Sequence, residues 1–591
     1  MKRHIAPALA LIAFSLVLYA NAFHNEFVWD DDLFIVNAKK IRNINLPRFF
    51  SEGSEGLYRP LRTTLYALTY RIGGLDPAAY HLAGKTMNAL TVAALYALLV
   101  LLFESRGAAF FGALLFAAHP VHTEKVTFIT STYDIPADFL WLSAFALYVL
   151  HRKRQTPFAL TVSVLLFTVA LLFGENAAVL PLVVVLYDFT FGNHDKKAAR
   201  WIPYFTVLAG YLVLRTSVLG AVARTGEHTI NPDIFGNFLT MSEITFQYGK
   251  LLLWPWPLIA VRSATQAVFP YPPHLYAAAM AVTALLVAAW RKRHVQPWVT
   301  FTAFWFFAVI SPNLNFIPTG SLIAERYLYL PSAILSFAAA AAYLAVETNN
   351  RKRAALVAAA LIVVAVFSAL TVRRNGDWRN ETLLWGRTLR IKPDSAAAML
   401  NLGVDAQKNL HWNMAEKLLR HAVELEPDND GSLERLANFY LKQERWDEAL
   451  PLLEKAYAVR KRDVLMLEIA QAKIGQKKYA EAGELLGGLL RQYPRSPRAW
   501  TTYGGLLYFQ GKEGWAAAHV TAHAFADEKA EAVYGLAQGW RLLGKPAVAL
   551  RIARIGLQED PDNQQLRELA AALEAEKPKM GDNNGTRSNG R

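Results

Sequence analysis

The chain has 591 residues, of which 53% are apolar and 19% charged, with a formal net charge of +14. So apolar a composition excludes an ordinary soluble protein, and the absence of cysteine excludes disulfides, thiolate metal sites and cysteine nucleophiles. The basic residues gather between apolar runs, which argues for a membrane protein and against nucleic-acid binding.

In chain order, Lys2 and Arg3 precede an apolar run, and Ala20-Asn21-Ala22 resembles a signal-peptide cleavage site. A retained first helix is the preferred reading, because a further membrane domain follows for it to pack against. A crossing takes roughly 20 apolar residues. The stretches 5–22, 86–103, 107–118, 135–150, 157–174, 176–190, 201–219, 275–290, 297–311, 331–347 and 354–371 predict an all-α polytopic bundle of about eleven transmembrane helices. Arg106, Arg152-Lys153-Arg154, Lys196-Lys197, Arg291-Lys292-Arg293 and Arg351-Lys352-Arg353 fall at every second junction, which makes that side cytoplasmic. The other side receives 23–85, 119–134, 174–176, 220–274, 311–330 and everything after 371. The segment 246–258 contains Trp254-Pro255-Trp256-Pro257 and reads as an interfacial helix on that outer side.

From Ala396 the chain repeats at about 34 residues, the period of tetratricopeptide repeats. Leu402-Gly403, Ala415, Ala422 and Pro427 recur as Leu436-Ala437, Ala449 and Ala456, with later echoes at Ala482, Gly504, Ala516, Ala549 and Gly556. Five units and a half-unit around 378–393 are expected, offering a surface for a peptide or partner protein. The domains predicted are a membrane domain 1–371, a repeat domain 372–574 and a polar, disordered tail 575–591.

Polar motifs collect on the outer side. Asp30-Asp31-Asp32 follows the first helix; adjacent carboxylates repel, and partial burial raises their pKa, so they serve either as a solvated cap, or to hold a cation or deprotonate a hydroxyl. Arg59 and Arg62 suit an anionic headgroup, a phosphate or simple interfacial anchoring. His119, His122 and Glu124 could supply metal ligands, while Pro120 between them argues for a turn. Asp134 closes that loop. Glu175 lies between two apolar helices, where an ionisable residue is either functional or a membrane-edge turn. Glu325 and Arg326 end the set, with Arg326 able to reach a phosphate.

Taken in order, Phe27-Val28-Trp29-Asp30-Asp31, Tyr58-Arg59-Pro60-Leu61, His119-Pro120-Val121-His122-Thr123-Glu124, Asp134, Glu175, Leu186-Tyr187-Asp188, Leu253-Trp254-Pro255 and Glu325-Arg326-Tyr327 resemble the transmembrane and tetratricopeptide-repeat O-mannosyltransferase family of the GT-C glycosyltransferase superfamily. The resemblance implies a GT-C bundle and an inverting enzyme that takes a sugar, mannose by analogy, from a polyprenyl-phosphate carrier to a protein hydroxyl. It assigns the base to Asp30, with Asp31 as alternative, and the donor phosphate to Arg326, with Arg59 second. It leaves a divalent metal and the acceptor open, and a bacterial inner membrane with periplasmic repeats fits the basic clusters. The other readings are a GT-C enzyme acting on a lipid or polysaccharide, and a non-catalytic scaffold presenting the repeats.

Overall fold

The computed structural model describes the chain apart from residues 1, 55, 193–197, 221–232, 263–268, 316–320, 495, 560, 562, 576–591 and scattered positions between 513 and 545. Lys196-Lys197, Ala516 and all but the first residue of the expected tail therefore lie outside the described residues. The described residues are helical with no strand beyond an isolated Ser54–Leu57 bridge. They form two compact units, 1–401 and 402–591.

Each of the eleven apolar stretches carries a helix. These run Lys2–Leu18, Pro77–Phe103, Arg106–Ala118, Ile135–Arg154, Pro157–Phe173, Leu180–Phe191, Ile202–Leu219, Pro273–Arg291, Pro297–Ile310, Ala333–Val346 and Asn350–Asp377. Among the described residues, six helical runs are long and apolar enough by themselves to cross a membrane. The chain is an integral membrane protein. Proline opens the helices at 77, 157, 273 and 297, where its missing N–H has no intrahelical acceptor to lose. Asp76, Ser105 and Asn349 cap the helices that follow them by accepting backbone N–H bonds. Interior faces meet as aromatic pairs, with Trp141 and Trp305 edge to face at 5.3 Å and both fully buried.

Polar contacts sort into two poles. At one, Lys153 meets Glu104 at 2.5 Å and Arg152 meets Asp188 at 2.7 Å, while Ser105 Oγ donates to Glu347 at 3.0 Å. Those residues flank the basic connections at every second junction. The opposite pole gathers 23–85, 119–134, Glu175 and 325–326, and it holds the candidate site.

Three expectations are corrected. Residues 60–73 form a helix rather than a loop, and the next helix begins at Pro77, nine residues before the predicted 86. Hydropathy missed both because Arg62, His81 and Lys85 are buried in protein rather than facing lipid. The segment expected as an interfacial helix over 246–258 is instead the end of a longer helix, Ile234–Leu253. Trp254 to Pro257 lie beyond it, since the prolines stop the ladder.

The second unit builds helix pairs Asp430–Lys442 with Trp446–Val459 and Asp463–Gly475 with Tyr479–Gln492, preceded by Trp412–Leu425 and followed by Pro497–Phe509. The small residues picked out by the repeat are the contact points. Ala415, Ala422, Ala437, Ala449, Ala456, Ala482 and Ala549 are fully buried, and a Cβ on Gly403 would approach Leu419 Cγ to 2.9 Å. A further helix, Gln564–Ala575, packs against Pro546–Glu559.

Candidate active site

The acidic cluster does not cap the first helix, which ends at Leu18. It lies in a loop that reverses at Trp29, whose φ of +56° is left-handed, a region that bulky side chains rarely adopt. The reversal sends the neighbouring carboxylates different ways. Asp31 is fully buried. Its Oδ1 accepts from Thr130 N at 2.7 Å and Thr130 Oγ1 at 2.5 Å, and its Oδ2 accepts from Val28 N at 3.0 Å. Asp31 thus pins the 23–37 loop to the 119–134 segment. Asp30 is half-buried and lies near enough to Arg326 to stabilise its charge.

Burial pushes the Asp31 carboxyl from 3.8 up to about 7, against the opposing pull of its three hydrogen bonds. Between those two values the folded loop holds a proton that an unfolded chain has lost. Its contribution to stability is therefore full below about pH 4 and disappears as pH rises through 7. Thermal unfolding of the solubilised protein between pH 4 and 7.5 should show this falling stability, and Asp31→Asn should flatten it. Identical slopes in the two proteins would refute the assignment.

Segment 119–134 begins with a tight turn at Pro120–His122, followed by short helices Thr123–Thr127 and Ile129–Thr132. The three expected ligands diverge from that turn. His119 Nε2 donates to Leu252 O at 3.0 Å, His122 Nε2 meets Ser332 Oγ at 2.8 Å, and Glu124 accepts from Arg326. Among the described residues no three His, Asp or Glu side chains converge as metal ligands.

Glu325 and Arg326 share one turn, Glu325–Leu328, and point apart. Glu325 is fully buried; it accepts from Ile259 N at 2.7 Å and Arg262 Nη2 at 3.0 Å, and it faces Arg374 Nη2 at 3.6 Å. Arg326 ion-pairs with Glu124, whose other oxygen accepts the Arg326 backbone N–H at 3.1 Å. Its guanidinium lies 5.8 Å from the Trp29 ring centroid and 5.1 Å from that of Tyr327, favourable cation–π positions. Among the described residues Nη2 has only a long 3.5 Å contact, to Ser321 Oγ, which leaves it able to donate to an anion.

Arg59 has no such freedom. Its Nε and Nη2 each reach Glu175 at 2.8 Å, and Nη1 reaches both oxygens of Asp134 at 2.8 and 3.0 Å. Arg62 adds a 3.1 Å bond to Asp134. Burial alone would raise both carboxyls, but the guanidinium of Arg59 overrides it and holds them below the usual carboxylate range. The expectation that Arg59 serves as an open phosphate ligand gives way to a closed ion-pair cluster. Such a fork fully engaged by carboxylates has little left for a phosphate.

Thr130, Arg262, Arg374 and Glu381 belong to this pole and were not singled out from sequence, and Trp29 was named there only within its motif. The Trp29 ring stacks on Phe128 at 5.4 Å, and the Trp29 backbone N–H donates to Glu381 Oε1 at 2.7 Å across 352 positions. A positive φ at a tryptophan leaves no composition signal. The one usable hint was Trp-Asp-Asp itself.

Fold and site together define a polytopic helical membrane protein with a polar centre of acids and arginines at one pole and tetratricopeptide repeats after it. A family profile described as dolichyl-phosphate-mannose-protein mannosyltransferase matches residues 60–220, and a tetratricopeptide-repeat profile matches 441–506. A protein O-mannosyl-transferase of Caenorhabditis elegans is 26% identical over 457 residues, covering 72% of this chain and 63% of that one. Human protein O-mannosyl-transferase TMTC3 is 24% identical over 517 residues, covering 78% and 55%. Mouse TMTC1 is 32% identical over 215 residues, 32% and 23% of the two chains. Over most of its length the chain is similar to these transmembrane and tetratricopeptide-repeat O-mannosyl-transferases. It spans 63% and 55% of the lengths of the first two relatives.

Proposed function

We propose that this chain is a membrane glycosyltransferase that moves mannose from a polyprenyl-phosphate carrier to a hydroxyl of a protein, on the non-cytoplasmic side. The observation that carries the reading is the placement of a half-buried carboxylate, Asp30, near an arginine with a spare donor, Arg326. The acceptor O–H gives its proton to the Asp30 carboxylate as its oxygen attacks the anomeric carbon. The bond from that carbon to the phosphate oxygen breaks, and the charge gathering on the departing polyprenyl phosphate is stabilised by Arg326 Nη2. One displacement inverts the anomeric centre. Asp31, with both oxygens occupied, positions the loop in this scheme, and Arg59 ties Glu175 to Asp134.

The sidedness rests on the basic residues, which flank the pole away from Asp30, and cytoplasmic loops carry the excess of lysine and arginine. The repeats would then share the acceptor's compartment and can hold it while the hydroxyl is presented. A bacterial inner membrane with periplasmic repeats suits this arrangement.

The test compares O-linked hexose on envelope proteins, by intact-peptide mass analysis, in cells with and without the gene. Loss of hexose from a set of serine and threonine peptides on deletion, restored by the full chain, is expected. An unchanged glycopeptide set, or a C-terminal compartment reporter active only in the cytosol, would remove the proposal.

A further inference from the structure

The loop that bears Asp30 is held from the far end of the membrane domain. Three polar contacts do this, to the end of the last apolar helix and the stretch that follows it. Asn25 Nδ2 donates to Asn375 O at 2.9 Å, and Glu26 N donates to Arg379 O at 2.9 Å. Trp29 N donates to Glu381 Oε1 at 2.7 Å, while the second oxygen of Glu381 accepts the indole N–H of Trp385. That indole is fully buried and meets the Trp29 ring edge to face at 5.3 Å. One carboxylate therefore fixes both the backbone and the ring contact of the residue immediately before Asp30.

The chemistry of this acceptor is specific. Two N–H donors converge on one side chain, and only a carboxylate offers both an oxygen for each and no competing hydrogen. The left-handed backbone at Trp29 persists only when its surroundings over-determine it, and Glu381 supplies the acceptor for its N–H.

We propose that Glu381 is a positioning residue for the Asp30 base: it holds Trp29 in the reversed conformation that separates Asp30 from Asp31 and directs Asp30 toward the reacting hydroxyl. The assignment rests on the transferase reading above. Its structural half, that Glu381 holds the loop, does not.

The experiment has two readouts on the full chain in detergent micelles. Hydrogen exchange of peptides spanning 26–32 reports the loop. Transfer of labelled mannose from synthetic polyprenyl-phosphate mannose to envelope-protein extract reports the reaction. Glu381→Gln places an amide N–H₂ against one of the two donors; it should speed exchange in 26–32 and lower kcat roughly 10- to 100-fold, with KM for the donor unchanged. Trp385→Phe removes the opposing indole N–H, so Glu381→Gln combined with Trp385→Phe should regain both protection and most of kcat. That rescue distinguishes positioning from general destabilisation, because a second core substitution would otherwise only worsen the defect. Wild-type exchange in Glu381→Gln overturns the proposal, and so does a kcat loss that Trp385→Phe deepens. Faster exchange reversed by Trp385→Phe, with no transfer by any form including the parent, would uphold the loop's dependence on Glu381 and sink the transferase reading instead.

Discussion

Asp30→Asn is expected to lower kcat for mannose transfer by about 10²–10⁴-fold, the range for removal of a positioned general base, with KM for the donor and thermal stability near those of the parent. Asparagine keeps the shape of the side chain and removes its ability to take a proton. No neighbour replaces it: Asp31 is fully buried and accepts bonds from Val28 and Thr130, and Glu124 is occupied by Arg326. Kinetics of purified Asp30→Asn with polyprenyl-phosphate mannose, alongside a melting curve, make the check. Parental turnover in this variant would exclude Asp30 as the base.

Arg59→Ala should damage the fold more than any other single change at this pole. It strips Glu175 of both hydrogen bonds and leaves Asp134 with Arg62 as its remaining ion-pair partner. Removing one partner of a fully buried ion pair typically costs about 3–5 kcal/mol; with the cluster part-buried and Arg215 still acting on Glu175, the loss should fall at or below the low end of that range. The sign of its pH dependence follows from the carboxyls. Both are held below their usual range in the parent, so the stabilisation exists above the ordinary carboxylate pKa and is lost as pH falls through the depressed values. In Arg59→Ala the stranded Glu175 can escape its penalty by taking a proton, so the gap between variant and parent should be widest near pH 7 and narrow in acid. Arg59→Lys, a single ammonium in place of a planar fork, should fall between the two. Size-exclusion melting profiles across pH 4 to 8 test this. A variant as stable as the parent at neutral pH would show the cluster to be energetically idle.

What could be read from sequence divides along a physical line. Apolar runs report contact with lipid or with a core, and each of the eleven runs carries a helix. The repeat was legible because Ala415, Ala422, Ala449 and Ala456 sit where helices touch, and close contact tolerates only small side chains. The helix Pro60–Gly73 was not legible, since Arg62, Thr63, Thr64 and Arg71 give it no apolar run although Pro60 marks its start. The structure brings the polar motifs together at one pole, but sequence could not pair their members. Arg59 finds Glu175 across 116 positions and Asp134 across 75, and it was this pairing that closed a side chain expected to be open. The His-x-x-His-x-Glu spacing looked ligand-like, yet the turn at Pro120 splays the three side chains toward Leu252, Ser332 and Arg326. Local spacing says which groups are neighbours on the chain; it says nothing about which of them a distant segment has already satisfied.

The helix Arg106–Ala118 has 13 residues, a length of about 20 Å at 1.5 Å per residue, against a hydrocarbon thickness of about 30 Å. With Arg106 anchored at one boundary, its other end stops about 10 Å short of the opposite one. The buried stretch 119–134, a turn and two short helices, starts there, as a broken helix can at that depth only when protein encloses it. On that placement the polar site around Asp30 and Arg326 would lie beneath the headgroup plane. A carrier lipid would reach it by sliding in sideways with its tail still solvated by neighbouring acyl chains, whereas a free nucleotide sugar would have to shed its hydration to descend.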